Sequence, residues 1–424
     1  MKRPRRAGVL VAVVATAPLL VTGCGGNPVK QAPPPSLSIT PVADAKDLPV
    51  STEIGISVAG GHVTDVAVTD STGARVEGEM RPDGSSWIPN APLKYKESYT
   101  VQVTAANDKG RTSTESTTFT TMAKPSKTTK TTLYVQNGQT YGVAMPVTID
   151  FNPGVPKEAR AEVQRRLFVT TDPPQPGVWH WTNDGKQVYY RAADFWQPGT
   201  KLSVRAALEG VPMGKGSYGD TDRRAEANIS KDKVMLEIDG KTKQMKVFKN
   251  DKLVRKIPVS LGKPSTPTSS GKMVIMEKFE QTVFDTTGSP DPYVITVQDA
   301  QRLTWGGEFI HSAPWSVGVQ GYANVSHGCT NVSPENARWL MKTTHIGDLV
   351  TITGTEVKLE HGNGWTAWNL SWEEYIKGSA LPVPDDLKEA GKASSAPSGE
   401  ASPSPSGEPA PSDEPEPTPS SVGR

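Results

Sequence analysis

The sequence predicts a mainly β protein in which two small β-sandwiches precede a third β-rich unit. Apolar residues alternate with polar ones over short segments, among them residues 54–58, 99–103 and 234–238, as in strands that bury one face. Clusters of turn-forming residues, such as those at 107–110, separate these segments. Clear helix signals appear at one place in the third unit, so helices are expected to be few.

The first unit is assigned to residues 36–122 and the second to residues 133–232, with a Lys/Thr/Ser/Pro linker at 123–132 between them. Short strands at close turn spacing favour sandwiches that are immunoglobulin-like in the broad sense. Residues 99–106 and 201–207 share one alternation pattern, as two sandwiches in series would produce. Two unrelated strands with the same pattern are the alternative.

The third unit is assigned to residues 233–380 and begins as a β-meander, with a hairpin turn at Asn250-Asp251. A short helix is predicted after the second cysteine of the chain. Ser333 is its expected N-cap and Pro334 its expected first residue, because these residue types favour those positions.

Aromatic residues are concentrated near the end of the third unit. We expect them to pack the C-terminal segment onto the core of that unit, and a carbohydrate platform is the alternative. These residues are Trp365, Trp368, Trp372 and Tyr375. Residues 381–424 consist largely of Pro, Ser, Glu, Ala and Gly, and are predicted to be a disordered tail because they lack the apolar residues of a core.

Residues 1–23 are typical of a signal peptide, with a basic start and an apolar stretch that is short for a membrane span. Residues 21–24 resemble a bacterial lipobox, in which Cys24 becomes the lipidated N-terminal residue, followed by a linker at 24–35. We therefore expect an exported protein, lipid-anchored to the outer face of the cell membrane. The alternative is an ordinary cleavage site beside an incidental cysteine.

Charge argues against one class of partner. The formal net charge of the chain is +1, and it falls to about −3 without the four cations of the leader. The mature chain therefore lacks the basic footprint of a nucleic-acid-binding protein.

Cys329 is the strongest candidate for chemistry. With Cys24 lipidated it has no disulfide partner, and an unpaired thiol in an exported protein is a candidate nucleophile. A nucleophilic thiol needs a base, for which His311 and His327 are the candidates. Gly328 allows unusual backbone dihedrals beside the thiol, and the helix that follows is expected to place backbone N–H groups nearby.

Two other interpretations of this cluster stay open from residue types alone. Cys329 could be a buried structural cysteine beside two hydrogen-bonded histidines. It could also ligate zinc together with His311 and His327, although no CxxC or HExxH spacing is present. Catalysis is the preferred interpretation, with no metal and no cofactor.

His311, fourteen intervening residues and then the motif at 326–331 resemble the signature of the YkuD-type L,D-transpeptidases of bacterial cell walls. Residues 309–318, 265–268 and 368–372 are similar to those of mycobacterial and other actinobacterial members. These relatives often carry one or two immunoglobulin-like domains before a β-rich catalytic domain, so the resemblance extends loosely over the first two units.

The resemblance implies a role for each residue of the motif. Cys329 would be the nucleophile and His311 the general base, with one ring nitrogen of His311 held by the backbone carbonyl of Ser312. Tyr293 would lie over the active site and help to polarise the acyl carbonyl, together with the amides of Gly328 and Cys329.

Further positions follow from the same resemblance. His327 and Asn331 would flank the nucleophile, with Asn331 contacting the substrate or the loop. A lid is expected within 280–301, with a short tip at 285–292. The residues expected to line the cleft are Gly306, Gly307 and Trp315.

The implied reaction is a two-step acyl transfer between peptidoglycan stem peptides. The thiolate attacks the carbonyl of the third residue of a tetrapeptide stem, D-alanine leaves, and a side-chain amine of a second stem resolves the thioester into a 3→3 cross-link. Acylation by carbapenems is also implied.

Other functions remain to be considered. One alternative is a carboxypeptidase with water as acceptor, and another is a sortase-like enzyme, although the spacing from Cys329 to Arg338 does not fit a sortase. A different class is a non-catalytic lipoprotein that binds the cell wall, against which the intact Cys-His motif argues.

Overall fold

A computed structural model describes residues 32–81, 83–288 and 291–394. The predicted lipidation site Cys24 and most of the predicted tail lie outside the described residues. Within the described part, pairs of β-sheets form two sandwiches followed by a third β-rich unit, which confirms the predicted fold class. Among the helices of this part, none is both long and apolar enough to cross a membrane.

The first sandwich packs two sheets of strand orders β1-β3-β6-β5 and β2-β8-β7-β4. Inward-facing residues of both sheets form its core, in which the rings of Tyr99 and Phe119 stack with centroids 5.5 Å apart. Its strands are β1 (Ser36–Thr40), β2 (Ala45–Leu48), β3 (Ile54–Ala59), β4 (His62–Asp70), β5 (Gly78–Met80), β6 (Ser86–Pro89), β7 (Ser98–Ala106) and β8 (Thr112–Thr121).

The second sandwich packs two sheets of orders β10-β18-β15-β12 and β13-β14-β11-β9-β17-β16. It also contains a helix, α1 (Lys157–Gln164), that the alternation patterns did not reveal. Its strands are β9 (Thr128–Leu133), β10 (Thr140–Tyr141), β11 (Val147–Asn152), β12 (Leu167–Asp172), β13 (Gly177–Trp181), β14 (Gln187–Ala192), β15 (Lys201–Ala206), β16 (Pro212–Gly214), β17 (Ser217–Gly219) and β18 (Arg223–Ile229).

The predicted linker at 123–132 is too long. β9 begins at Thr128 and pairs with both β11 and β17. Its inward-facing residues are Thr129 and Thr131, and Thr129 Oγ1 lies 2.9 Å from Ser217 Oγ. Because β9 buries hydroxyls rather than hydrocarbon, hydrophobic periodicity could not detect it.

The two sandwiches repeat one sheet arrangement. β7 lies between β8 and β4, and β15 lies between β18 and β12. In both sheets a short edge strand pairs in parallel with a neighbour of the central strand. In the first sheet β2 pairs with β8, and in the second β10 pairs with β18. The similarity between residues 99–106 and 201–207 thus coincides with equivalent places in two related sheets.

Arginine side chains join the two sandwiches. Arg166 donates to Ser51 O and pairs with Glu53 at 2.8 Å, while Arg205 donates to Pro89 O at 2.7 Å. These contacts are polar, so the joint depends on hydrogen bonds and charge rather than on a shared apolar core.

The third unit has sheets of orders β21-β20-β19-β27-β22-β28 and β23-β24-β25-β26. Its strands are β19 (Val234–Asp239), β20 (Gln244–Lys249), β21 (Lys252–Pro258), β22 (Ser269–Val274), β23 (Glu277–Asp285), β24 (Val294–Arg302), β25 (Phe309–Ser312), β26 (Thr330–Val332), β27 (Leu349–Thr353) and β28 (Val357–Lys358). Its helices are α2 (Pro334–Thr343), α3 (Trp372–Ile376), α4 (Asp385–Ser394) and the 3₁₀ turns Pro314–Ser316 and Ala367–Asn369.

The structure confirms two short-range predictions in this unit, the cap of α2 and the hairpin turn after β20. Ser333 caps α2 by accepting a hydrogen bond from Asn336 N at 3.3 Å. Asn250 and Asp251 have φ of 53° and 63° in the turn between β20 and β21, as a type I′ hairpin requires.

The C-terminal aromatic residues pack mainly against the second sandwich, in a cluster that also contains Val274, Met276 and Leu349 of the third unit. Trp368 Nε1 donates to Ala144 O at 2.7 Å, and Tyr375 Oη donates to Tyr189 O at 2.8 Å. Trp365, Trp372 and Tyr375 share one buried cluster with the second sandwich. The segment after β28 therefore returns to the second sandwich and fastens it to the third unit.

A buried guanidinium organises this contact. Arg191 on β14 is 2 % exposed, and its Cζ lies 4.2 Å from the ring centroids of both Trp368 and Tyr375. It donates to the backbone carbonyls of Ala367 and Leu370, each at 3.2 Å. Burial lowers the pKa of Arg191 to about 10, so the group keeps its charge at neutral pH.

Part of the predicted tail is helical. α4 covers Asp385–Ser394, and Leu387 O accepts a hydrogen bond from Trp372 Nε1 at 2.8 Å. The prediction of disorder from residue 381 is wrong for this stretch. A single leucine, Leu387, gives the segment its packing partner in an otherwise polar composition.

Replacing Arg191 with methionine tests this junction. The variant keeps the volume but leaves buried carbonyls without a donor, so we expect the free energy of unfolding to fall by about 3 kcal/mol. Urea unfolding followed by tryptophan fluorescence measures the change. Arg75→Met is the matched control, because Arg75 is exposed and its ion pair should contribute less than about 1 kcal/mol. Equal shifts in the two variants would contradict the assignment.

Candidate active site

The pairing of β25 with β26 brings the predicted base and nucleophile together. The two strands are parallel, with His311 opposite Asn331. Cys329 directly precedes β26 and is two residues from Asn331, so in extended chain its side chain faces the same side of the sheet as His311. The smaller of two cavities at the site is lined by both residues.

The turn that carries Cys329 is held by side-chain hydroxyls. Ser326 Oγ donates to Cys329 O at 2.6 Å and lies 3.2 Å from Gly328 N. Thr268 Oγ1 donates to Gly328 O at 2.8 Å. Gly328 has φ of 120°, a conformation that side chains with a Cβ rarely adopt, so this position requires glycine.

His311 has the protonation pattern of a general base. Its Nδ1 lies 2.9 Å from Ser312 O, the contact expected from the sequence. A carbonyl only accepts, so Nδ1 carries the hydrogen and Nε2 carries the lone pair. Burial lowers the pKa of His311 to about 4, which keeps the ring neutral.

Cys329 is 6 % exposed and carries a free thiol. Its Sγ donates to Gly307 O at 3.7 Å, and its side chain packs with Phe309. Burial raises the pKa of the thiol to about 12, and a hydrogen bond from the Phe309 backbone partly offsets this. Burial also favours the neutral form of His311, so the surroundings favour a thiol and an imidazole over an ion pair.

The helix after the cysteine does not reach the nucleophile. β26 separates Cys329 from the start of α2, and three extended residues span about 10 Å. The field of a helix terminus fades within about one turn. The expected clustering of helix N–H groups at Cys329 is therefore wrong, because the motif continues as a strand.

Two cavities meet at Cys329. The larger has a volume of about 740 Å³ and the smaller about 350 Å³. Both are lined by Phe284, Tyr293, His327 and Cys329. Gly306 and Gly307 also line the larger cavity, while His311, Trp315 and Asn331 also line the smaller one.

The expected lid is the long hairpin of β23 and β24. Tyr293 lies at its tip, where its backbone pairs with Thr286. Its ring lies 4.7 Å from the ring of His327. Burial raises the pKa of Tyr293, and a thiolate at Cys329 would raise it further, so the phenol remains a hydrogen-bond donor.

His327 faces the lid. Its Nε2 lies 2.8 Å from Asp291 Oδ2 and 3.1 Å from Lys263 Nζ. Lys263 and Asp291 also pair with each other at 2.6 Å. His327 therefore connects the tip of the hairpin to the nucleophile turn.

The remaining predicted residues lie around the same site. Gly306 N donates to Asn363 Oδ1 at 2.8 Å, which ties this loop to the C-terminal segment. Trp315 is 55 % exposed and lies 6.0 Å from the His311 ring. Asn331 is buried and its amide donates to Ser316 Oγ at 3.3 Å, so it contacts the loop.

Sequence reasoning missed several residues that shape the site. The family resemblance marks Thr268 and Ser326 only as parts of similar segments, although their hydroxyls hold the turn that carries Cys329. Lys263 and Asp291 carry no signal, because their contact depends on two loops that are distant in sequence. Phe284, which lies 5.2 Å from the His311 ring, looked like an ordinary strand residue.

In the part of the chain that the structure describes, three or more His, Cys, Asp or Glu residues do not gather anywhere as a metal site would require.

Two family models match the chain. One, described as a bacterial Ig domain, matches residues 45–212, which span most of both sandwiches. The other, described as the L,D-transpeptidase catalytic domain, matches residues 233–352 and so contains the site.

Known proteins match along most of the chain. L,D-transpeptidase 2 of Mycobacterium tuberculosis is 32% identical over 371 residues, covering 86% of this chain and 90% of that protein. L,D-transpeptidase 5 of the same organism is 32% identical over 381 residues, covering 87% and 83%. A solved structure of the LD transpeptidase LdtMt1 in complex with imipenem has 32% identity and a TM-score of 0.44, covering 54% of this chain and 100% of that one. Because two of these relatives match over most of their length and most of this chain, the chain belongs to the L,D-transpeptidase family of enzymes.

Proposed function

We propose that this enzyme forms 3→3 peptidoglycan cross-links through a thioester on Cys329. The observation that carries the proposal is the meeting of two cavities at one thiol. Transfer between two stem peptides needs room for a donor and for an acceptor on different sides of the acyl group. Hydrolysis needs room only for water, so this arrangement favours a transpeptidase over a carboxypeptidase.

The first step forms the thioester. As Sγ of Cys329 attacks the carbonyl of the third residue of a tetrapeptide stem, its proton passes to Nε2 of His311. Because both groups are neutral in the empty site, the proton moves during attack rather than beforehand. The same proton then goes to the departing amine of D-alanine, which leaves the acyl group on sulfur.

The second step transfers the acyl group. The side-chain amine of a second stem attacks the thioester from the other cavity, and His311 takes the proton of that amine. The carbon–sulfur bond breaks, the proton returns to sulfur, and the new amide is the cross-link. The Gly328 and Cys329 amides and the Tyr293 hydroxyl are the donors that would stabilise the oxyanion in both steps.

Intact-protein mass spectrometry with meropenem tests the nucleophile. We expect a drug adduct on the full chain purified in detergent and none on Cys329→Ala. With tetrapeptide muropeptides, the wild type should then yield 3→3 dimers. A folded wild type without an adduct would contradict the proposal. If meropenem forms the adduct but tetrapeptide muropeptides yield only tripeptides, the enzyme would be a carboxypeptidase.

The pH dependence of acylation tests the base. His311 must be neutral to accept the thiol proton, and its pKa is lowered to about 4. We therefore expect the second-order rate constant with meropenem to persist as the pH falls through 6.5, the ordinary histidine value, and to drop only near 4. A half-maximal loss near 6.5 would show that a different or more exposed group is the base.

We also propose that the chain is lipid-anchored at Cys24 and acts in the cell wall. Support comes from the lipobox-like residues 21–24 and from the enzyme family, whose proposed substrate lies outside the membrane. Phase separation in detergent tests the anchor. The wild type should enter the detergent phase and Cys24→Ala the aqueous phase, and equal partitioning of the two would contradict the anchor.

A further inference from the structure

Glu308 is built into the wall behind the nucleophile. It lies between Gly307, whose carbonyl accepts from the thiol, and Phe309, whose side chain packs with Cys329. A Cβ added at Gly328 would lie 3.8 Å from Glu308 Cγ. The carboxyl side chain therefore stands against the turn that carries the nucleophile without lining either cavity.

Only one of the two carboxyl oxygens of Glu308 has a hydrogen-bond partner among the described residues. Oε1 accepts a hydrogen bond from Ser269 N at 2.8 Å. Oε2 is buried and has no hydrogen-bond partner among the described residues. A buried carboxylate oxygen without a partner costs stability, so packing alone does not account for glutamate at this position.

We propose that Glu308 is a positioning residue whose carboxylate keeps Cys329 in the thiol form while the site is empty. The proposal rests on the proposed role of Cys329 as nucleophile. A carboxylate in the wall behind Cys329 and a thiolate on Cys329 would be like charges in a site shielded from water, and each would disfavour the other. Burial raises the pKa of Glu308, and after burial the Glu308 charge raises the pKa of Cys329.

The other charged and titratable groups around the thiol are paired or neutral. Arg302 lies over the Phe309 ring at 5.2 Å, but it is paired with Glu277 at 2.8 Å. Asp291 faces both Lys263 and His327. The groups held neutral by burial are His311 and Tyr293. Glu308 thus carries the charge that bears on Cys329.

Removal of this charge should make the thiol more reactive. A neutral residue at 308 lowers the pKa of Cys329 and raises the thiolate fraction at neutral pH. As the pH falls through the pKa of Glu308, the wild type loses the same charge, so the two proteins converge. Loss of a purely structural contact would change reactivity at every pH alike.

Alkylation by iodoacetamide measures this effect without using the wall substrate. On the full chain at neutral pH, we expect Glu308→Gln to alkylate about three- to tenfold faster than the wild type, with the difference shrinking as the pH is lowered. Cys329→Ala supplies the background rate. Glu308→Met is a second neutral variant, which serves if the glutamine variant does not fold, and it should show the same acceleration.

Two control variants separate charge from packing. Glu308→Asp keeps the charge and should stay within about twofold of the wild type. Glu335→Gln removes an exposed carboxylate on α2 and should leave alkylation unchanged. An unchanged rate in a folded neutral variant, or equal acceleration in Glu308→Asp, would overturn the proposal. Alkylation measures the reactivity of Cys329 and does not require cross-linking. A failure of the meropenem experiment can therefore be distinguished from a failure of the Glu308 proposal.

Discussion

The site depends on the parallel pairing of β25 with β26. This pairing joins two short strands that are eighteen positions apart in the chain, and it places His311 across from Asn331. The side-chain period of a strand is two, so a slip of one residue would turn Cys329 to the opposite face of the sheet. The hydroxyls of Ser326 and Thr268 hold the turn before β26 and thereby fix the register.

Burial is the main influence on the chemical state of this site. Desolvation pushes the thiol and the imidazole toward their neutral forms, in opposite pKa directions. A buried ion pair between them would require compensation that the surroundings do not supply. In the proposed mechanism, charge therefore develops only when a substrate displaces water from the site, and the buried thiol is little exposed to small electrophiles.

Short-range patterns predicted the fold, because the alternation that forms strands is local, whereas the roles of Cys329 and His311 stay predictions. Alternation revealed the strands of the third unit, Ser333 and Pro334 marked α2, and the unpaired Cys329 pointed to chemistry. The failures concern contacts between distant residues. Nothing near Arg191 in sequence indicates that it would meet Trp368, and nothing near Lys263 indicates Asp291. The sequence did not predict β9, because the buried residues of this strand are threonines. It did not predict α4, because this helix is mostly polar and is held mainly at Leu387.

The return of the C-terminal segment to the second sandwich has a mechanical consequence. The third unit is connected to that sandwich by the chain that enters it and again by the chain that leaves it, around Arg191. These two connections restrict the hinge motion between the second sandwich and the third unit that a single connecting segment would allow. Rotation is left to the arginine-lined joint between the sandwiches, so the catalytic unit would have few orientations to give up on binding the proposed cell-wall substrate.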